Sequence, residues 1–468
     1  MNSPEDDPDG RPGERPAPPS PRGYNFVGTA LHFRRDPLRT LLDGRRLCGD
    51  VIRFRLPVLP DLYLAAHPRD VEHVLHNESR RYSKDPTHSS QLRALAGDGL
   101  TMSEGALWSR QRQIMQPSFY PAQTASYMTH VADITAAVLE NWRVHLDRGE
   151  AVDVSAAMLR LMLSVVVRSL FGADVGDQAA ELVRSSAIML DYAYRGMRNY
   201  YSPPEWLPLP SIRRFIRARR HLNDFAYGLI RRRLASREEG GDLLSALLGA
   251  RGGGAGEAAG LKQAREEILT MILAGHDTTG VALAWSFYLL ARHPEAAERL
   301  REEAFEVLGD RHPTAADIPN LVYARMVLDE SMRLYPPAWV LSRRCVADDV
   351  LGGYRIRAGS TVLLSPYVTH RHEAFWPEEE KFLPERFARA TSSKRPKYAY
   401  FPFGGGMRHC IGRQFAVAAA QLVLAMTART YSMALAPGLD IGPQAKLTLH
   451  PSRPVMVTLE SAAPTRPL

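Results

Sequence analysis

Only three cysteines, Cys48, Cys345 and Cys410, occur in the 468 residues of this chain. They cannot form a disulfide framework and no CxxC pair offers a zinc site, so a reducing compartment is expected and an essential cysteine would act alone. Lysine is scarce too: six of the 59 basic residues. Such an arginine excess is expected of GC-rich bacterial coding and implies no binding chemistry. Against 51 acidic residues the net charge is +8, which would suit nucleic acid, an anionic membrane or an acidic partner. Solvated helix surface explains it as well, and no nucleic-acid partner is expected. No stretch reaches the roughly 18 uninterrupted apolar residues of a membrane span. Residues 1–22 are rich in Pro, Asp, Glu and Arg and carry no apolar signal core. The expectation is a cytoplasmic, monomeric protein with a disordered tail over 1–22 and a single domain over 23–468.

What is present is a 45% apolar chain with helical periods along most of its length. Short apolar runs at 50–56 and 62–66, separated by Pro57 and Pro60, predict two strands. Helices are predicted over 69–77, 108–116, 121–148, 154–170, 212–237, 261–292, 294–308 and 320–334, the last stopped by Pro336-Pro337. The segment 261–292 is poor in charge after Glu267 and should cross the core, whereas the Gly-rich stretch 249–260 reads as a loop. A small sheet is expected over 352–364, an irregular segment over 381–403, and a helix from Ile411. The fold class is mainly α with small β-sheets (α+β).

The segment Phe403-Gly404-Gly405-Gly406-Met407-Arg408-His409-Cys410-Ile411-Gly412 sets a lone cysteine between a Gly-rich turn and a helix. Glycines permit positive φ and close backbone approach to a flat cofactor. A sulfur at a helix N-terminus meets the positive end of the helix dipole, which favours the thiolate that iron requires. Arg408 can bond a carboxylate such as a heme propionate, and Phe403 can shield the sulfur. The segment matches F-x-x-G-x-R-x-C-x-G at every fixed position, and the chain thereby resembles the cytochrome P-450 family over about residues 24–460.

The resemblance implies a heme b (iron protoporphyrin IX) cofactor with Cys410 as the iron ligand. Glu330 and Arg333, spaced i,i+3, followed by Pro384-Glu385-Arg386-Phe387, look like the family's Glu-Arg-Arg network, with Arg386 as third member and a structural role. Ala274-Gly275-His276-Asp277-Thr278-Thr279 is similar to the family's A-G-x-D-T signature. Ala274 and Gly275 would leave room for dioxygen, Gly275 would weaken the helix there, Thr278 would hydrogen-bond the bound oxygen and Asp277 would relay protons from solvent. His276 carries no assigned role. Trp108 and Arg112, spaced i,i+4, match a W-x-x-x-R pattern that contacts a propionate. Arg343 is a second propionate partner for which Arg344 competes, and His409 is a candidate for the cofactor edge.

The implied activity is a monooxygenase that inserts one atom of O2 into a C–H or C=C bond of a mid-sized apolar small molecule, such as a terpenoid, polyketide or fatty acid of secondary metabolism. Electrons would come from NAD(P)H through a separate ferredoxin and ferredoxin reductase, with Arg110, Lys394, Arg395, Lys397 and Arg413 as docking candidates. Alternatives are a peroxide-driven peroxygenase, a heme-dependent isomerase and a heme-thiolate sensor. The pocket is expected around 93–102, 189–206, Ala274, 337–341 and 446–449, with Tyr192, Tyr194, Trp206, Trp339 and Leu341 supplying apolar contacts.

Overall fold

The computed structural model describes residues 15–21, 26–55, 60–77, 80–199, 203–236, 240–250, 257–438 and 440–462. Helices dominate and the sheets are small, the expected class. Contacts gather the described residues into two compact units, one from 1–90, 333–381 and 389–410, the other from 91–332, 382–388 and 411–468. Residues 1–14, 22, 56 and 251–256, on which parts of the tail, first-strand and Gly-rich-loop expectations fall, lie outside the description. Residues 15–21 take no regular structure, yet the Pro19 carbonyl accepts from the Arg53 amide at 2.9 Å and that of Pro16 from Arg355 at 3.2 Å.

The first unit is built on a five-stranded sheet in the order Val51–Phe54, Leu62–Ala65, Thr361–Leu364, Leu341–Cys345, Tyr82–Lys84. Pairing is antiparallel except between Leu62–Ala65 and Thr361–Leu364, which run parallel. Alternation along the strands gives the sheet two apolar faces. On one, Phe54 packs edge-on to Phe33, and a Cβ at Gly44 would come within 2.7 Å of the Phe54 ring. That contact seats the helix Pro37–Cys48 directly on the strand. On the other, Val51, Tyr63, Ala65, Val362 and Leu364 join Val71, Val74 and Leu75 of the helix Pro68–His76, together with Tyr398 and Phe401. Each fully buried valine or leucine among them contributes about 1.5–3 kcal/mol. This face fixes the segment that leads into the cysteine loop.

The second unit surrounds the 36-residue helix Glu257–Arg292. It packs against Val154–Phe171, and glycines set the distance of approach. A Cβ at Gly280 would meet the Leu159 backbone at 3.1 Å, and one at Gly275 would meet Val166 at 3.1 Å. The helix runs unbroken through Gly275, where the close approach to Val166 leaves little room for a side chain. Val154–Phe171 is the one helix among the described residues long and apolar enough to cross a membrane, and 67% of its apolar window is buried inside the protein, as befits a core helix. A three-stranded sheet of Val152–Asp153, Met456–Ser461 and Tyr431–Leu435 and a hairpin of Pro443–Ala445 with Leu449–Pro451 complete this unit.

Candidate active site

The cysteine loop is held by its own turn and by neighbouring backbone. The Cys410 amide donates to the Phe403 carbonyl at 3.0 Å, Gly404 N–H to Phe401 at 3.0 Å, and His409 turns its Nδ1 back onto the Gly406 carbonyl at 3.0 Å. One ring nitrogen of His409 thus braces the loop itself. Gly406 has φ +63°, and a Cβ there would lie 2.0 Å from the Leu75 carbonyl oxygen; at Gly405 it would lie 2.4 Å from the Tyr398 ring. The close approaches seen at these two glycines are to Leu75 and Tyr398. Tyr398 is tied in turn to His76 Nε2 at 2.8 Å. Within this frame Cys410 is exposed, while Arg408 and Phe403 are half-buried.

Gly406→Ala should cost about 2–5 kcal/mol, from the left-handed backbone and the overlap with Leu75. A melting curve that matches wild type would show the loop to be more plastic than its contacts imply.

The segment before the loop is anchored from beneath. Arg333, fully buried, donates to the carbonyls of His370 (3.1 Å), Glu379 (2.6 Å) and Lys381 (2.9 Å), and its guanidinium lies 5.2 Å from the Trp376 ring centre. Trp376 donates its indole N–H to Ala399, and Arg395 stacks on the same ring at 4.2 Å. In the other unit, Glu330 (0% exposed) faces Arg386 Nε at 3.3 Å and accepts the Leu383 amide at 2.9 Å. The structure thus pairs Glu330 with Arg386 and shows Arg333 bonding main-chain carbonyls.

On the central helix, residues 266–273 and 279–290 are all buried, but Ala274 is exposed and Gly275 and Thr278 are half-buried. Their i, i+1, i+4 spacing makes one narrow face of small residues. Thr278 donates its hydroxyl to the Ala274 carbonyl at 2.7 Å, the back-bond common for threonine inside helices. Asp277 lies beside this face and is buried; it accepts from Thr448 Oγ1 at 2.5 Å and faces His450 Nε2 at 3.2 Å. Burial alone would raise its pKa, but the His450 hydrogen bond and charge, with His276 and Thr448, hold it below the ordinary carboxylate value. His276 is buried, with its basicity lowered by desolvation and its Nδ1 bonded to the Ile272 carbonyl at 2.5 Å.

Trp108 and Arg112 are half-buried on Gly105–Met115, with Arg112 Nε reaching Gln116 at 3.2 Å. Strand alternation separates the two competing arginines. Arg343 shares its face with Leu341, which lies 3.7 Å from a Cβ built at Gly404 of the cysteine loop; Arg344 takes the opposite face, near Gly359. Among the expected pocket residues, Tyr192 stacks on Phe215 at 4.0 Å, Trp339 is buried and Trp206 is 78% exposed; positions 200–202 lie outside the description. The sequence reading missed the His450 contact. Its one local signal was the polar pair Thr448 and His450, which flanks Leu449 at the start of the strand Leu449–Pro451.

Residues 18–459 match the family model for cytochrome P-450. The chain belongs to the cytochrome P-450 family. Members are heme-iron monooxygenases that use O2, redox partners and small-molecule substrates. This P-450 is 36% identical over 432 residues to cyclooctatin synthase of Streptomyces melanosporofaciens, covering 92% of this chain and 93% of the relative. It is 33% identical over 420 residues to cyclooctat-9-en-7-ol 5-monooxygenase of the same species, covering 90% of each. Pentalenene oxygenase of Streptomyces avermitilis is 30% identical over 448 residues, covering 95% of this P-450 and 97% of the relative. The residues of the cysteine loop fit a heme: an accessible sulfur, Cys410, on a turn held by its own backbone bonds.

Proposed function

We propose that this P-450 inserts one atom of O2 into a C–H or C=C bond of a terpenoid, a mid-sized apolar molecule. The observation that carries the chemistry is the uncovered Ala274–Gly275–Thr278 face with the buried acid Asp277 beside it. The substrate class is supported by the cyclooctatin, cyclooctat-9-en-7-ol and pentalenene in the names of three relatives. Residues 23–468 act as one heme domain, a reading supported by an uninterrupted family match through two units that alternate along the chain.

Cys410 would hold the iron of heme b, and Arg408, Trp108, Arg112 and Arg343 its propionates; Arg343 is preferred to Arg344 because it shares the Leu341 face beside the cysteine loop. When bound, the heme supplies dioxygen activation and C–H attack. The chain governs the protons. Thr278, with its hydroxyl proton committed to Ala274, presents an oxygen lone pair to incoming groups and can turn to donate. Asp277 is kept ionised and shielded from bulk water, so that protons pass at a defined place. Phe403, half-buried beside the turn, limits water at the sulfur. Electrons would come from NAD(P)H by way of a ferredoxin and its reductase. Lys394 and Arg413 have exposed side chains that an acidic partner would meet, whereas Arg395 and Lys397 lie over the rings of Trp376 and Tyr398.

The test is a Soret-shift screen of cyclic terpene hydrocarbons and their alcohols against the purified holoenzyme, with mass spectrometry of the product. Absence of any oxygenated product in a reconstituted ferredoxin system would overturn the assignment. In the same assay Thr278→Ala should lower product formed per NAD(P)H consumed by about tenfold, since a positioned proton donor contributes at least that much. Equal yield would remove Thr278 from the chemistry.

A further inference from the structure

Asp277 is the acid assigned to proton delivery, yet its side chain is only 6% exposed. A buried carboxylate cannot exchange protons with bulk water directly, so its hydrogen-bond partners decide how it is recharged. One carboxylate oxygen accepts from Thr448, itself buried and without a titratable proton; the other faces the Nε2 of His450, whose side chain is 21% exposed. His276, the adjacent titratable group, is 1% exposed and bonded to the Ile272 carbonyl. The charged groups on neighbouring helices are engaged elsewhere or face solvent. Arg168 pairs with Asp174, Arg233 with Asp242 and Arg301 with Glu298; Arg429 bonds the Gly309 and Arg311 carbonyls; Arg160 and Arg413 are exposed. His450 therefore touches both Asp277 and water.

Its position is fixed. His450 belongs to the strand Leu449–Pro451, and the neighbouring Leu449 carbonyl accepts the Trp285 indole N–H of the central helix at 2.7 Å. Tyr288, one turn further along, donates to the Ile441 carbonyl at 3.1 Å. The hairpin backbone is thus pinned along the helix that carries Asp277, which keeps the imidazole within reach of the carboxylate.

We propose that His450 is the proton donor that recharges Asp277, with Thr448 orienting the carboxylate for the transfer. The Nε2–H bond of the imidazolium breaks as a bond from that proton to Asp277 Oδ1 forms. The carboxylate becomes a neutral acid, the ring becomes neutral imidazole, and solvent returns a proton to the ring through its exposed edge. Because His450 acts through Asp277, it is a positioning residue for the reaction. This inference rests on the reading of Asp277 as the proton-delivering acid.

The test compares wild type with His450→Gln, which keeps an N–H donor but cannot titrate, and with Asp277→Asn, each as holoenzyme with its redox partners. In wild type, product per NAD(P)H should fall as pH rises across the range in which the protein stays folded, because the proton that His450 passes on becomes scarcer. In His450→Gln it should be lower by about tenfold at the acid end and flat across that range. A second measurement needs no turnover: aspartate side-chain 13C NMR of the ferrous, carbon-monoxide-bound holoenzyme should show Asp277 protonating at higher pH in His450→Gln than in wild type. If His450→Gln retains both the wild-type yield and its pH limb while Asp277→Asn is impaired, the His450 assignment fails and the Asp277 reading stands. If Asp277→Asn is unimpaired, that reading fails first. Should His450→Gln not bind heme, His450→Asn and the NMR titration decide in its place.

Discussion

Replacing Cys410 by serine should abolish product formation while leaving the protein folded. The side chain is exposed, and the loop is held by backbone bonds, Cys410 N–H to Phe403 and Gly404 N–H to Phe401, which serine keeps. Stability should therefore change by no more than about 0.5 kcal/mol in the heme-free protein, as for surface substitutions generally. The chemistry should not survive, because a serine hydroxyl supplies neither a soft anionic donor nor the electron push that sulfur gives iron. The reduced, carbon-monoxide-treated holoenzyme should lose the red-shifted Soret band of thiolate ligation, and substrate turnover should drop below detection. The other two cysteines serve as controls. Cys345 is buried, bonded to the Ala347 carbonyl, and its thiol is pushed up to about 11 by burial and the nearby Asp349; burial raises Cys48 as well. Both keep their protons at neutral pH, so Cys345→Ser and Cys48→Ser should retain the band. A red-shifted band in Cys410→Ser would mean that another sulfur binds the iron.

The sequence pointed to this sulfur because the constraints on it are local. Turn glycines, an arginine two residues away and a following helix all lie within ten positions. Helix limits were legible on the same ground: Pro121–Arg148 and Pro294–Leu308 are found as expected, since proline opens each and the apolar period marks its length. Helices such as Phe26–Arg35 and Pro86–Ala96 were missed; with 10 and 11 residues they span about three turns, too few for the period to declare itself. Long-range partners were illegible for a different reason. The parallel pairing of Leu62–Ala65 with Thr361–Leu364 joins stretches about three hundred residues apart, and nothing within either strand encodes the other. The same holds for Asp277, whose acid-alcohol motif is local but whose partners Thr448 and His450 lie on a distant hairpin. Between Arg343 and Arg344 only strand register could choose, and register follows from the assembled sheet.

The buried pair Glu330 and Arg386 offers the second large effect, and its sign depends on which partner is removed. Arg386→Leu leaves a carboxylate at 0% exposure without its guanidinium. Removing one partner of a buried pair in this way costs about 3–5 kcal/mol. The Leu383 amide, which Glu330 accepts at 2.9 Å, offsets part of that penalty but cannot neutralise the charge. Adding Glu330→Gln to Arg386→Leu removes the charge and preserves an oxygen acceptor for the Leu383 N–H. An orphaned buried amide, which would cost about 1–3 kcal/mol, is thereby avoided. The double variant should therefore be more stable than Arg386→Leu alone, by about 1–3 kcal/mol in urea unfolding of the holoenzyme, and should bind heme more completely. A pair that served only as surface decoration would give the opposite pattern: Arg386→Leu within about 0.5 kcal/mol of wild type and no recovery on adding Glu330→Gln.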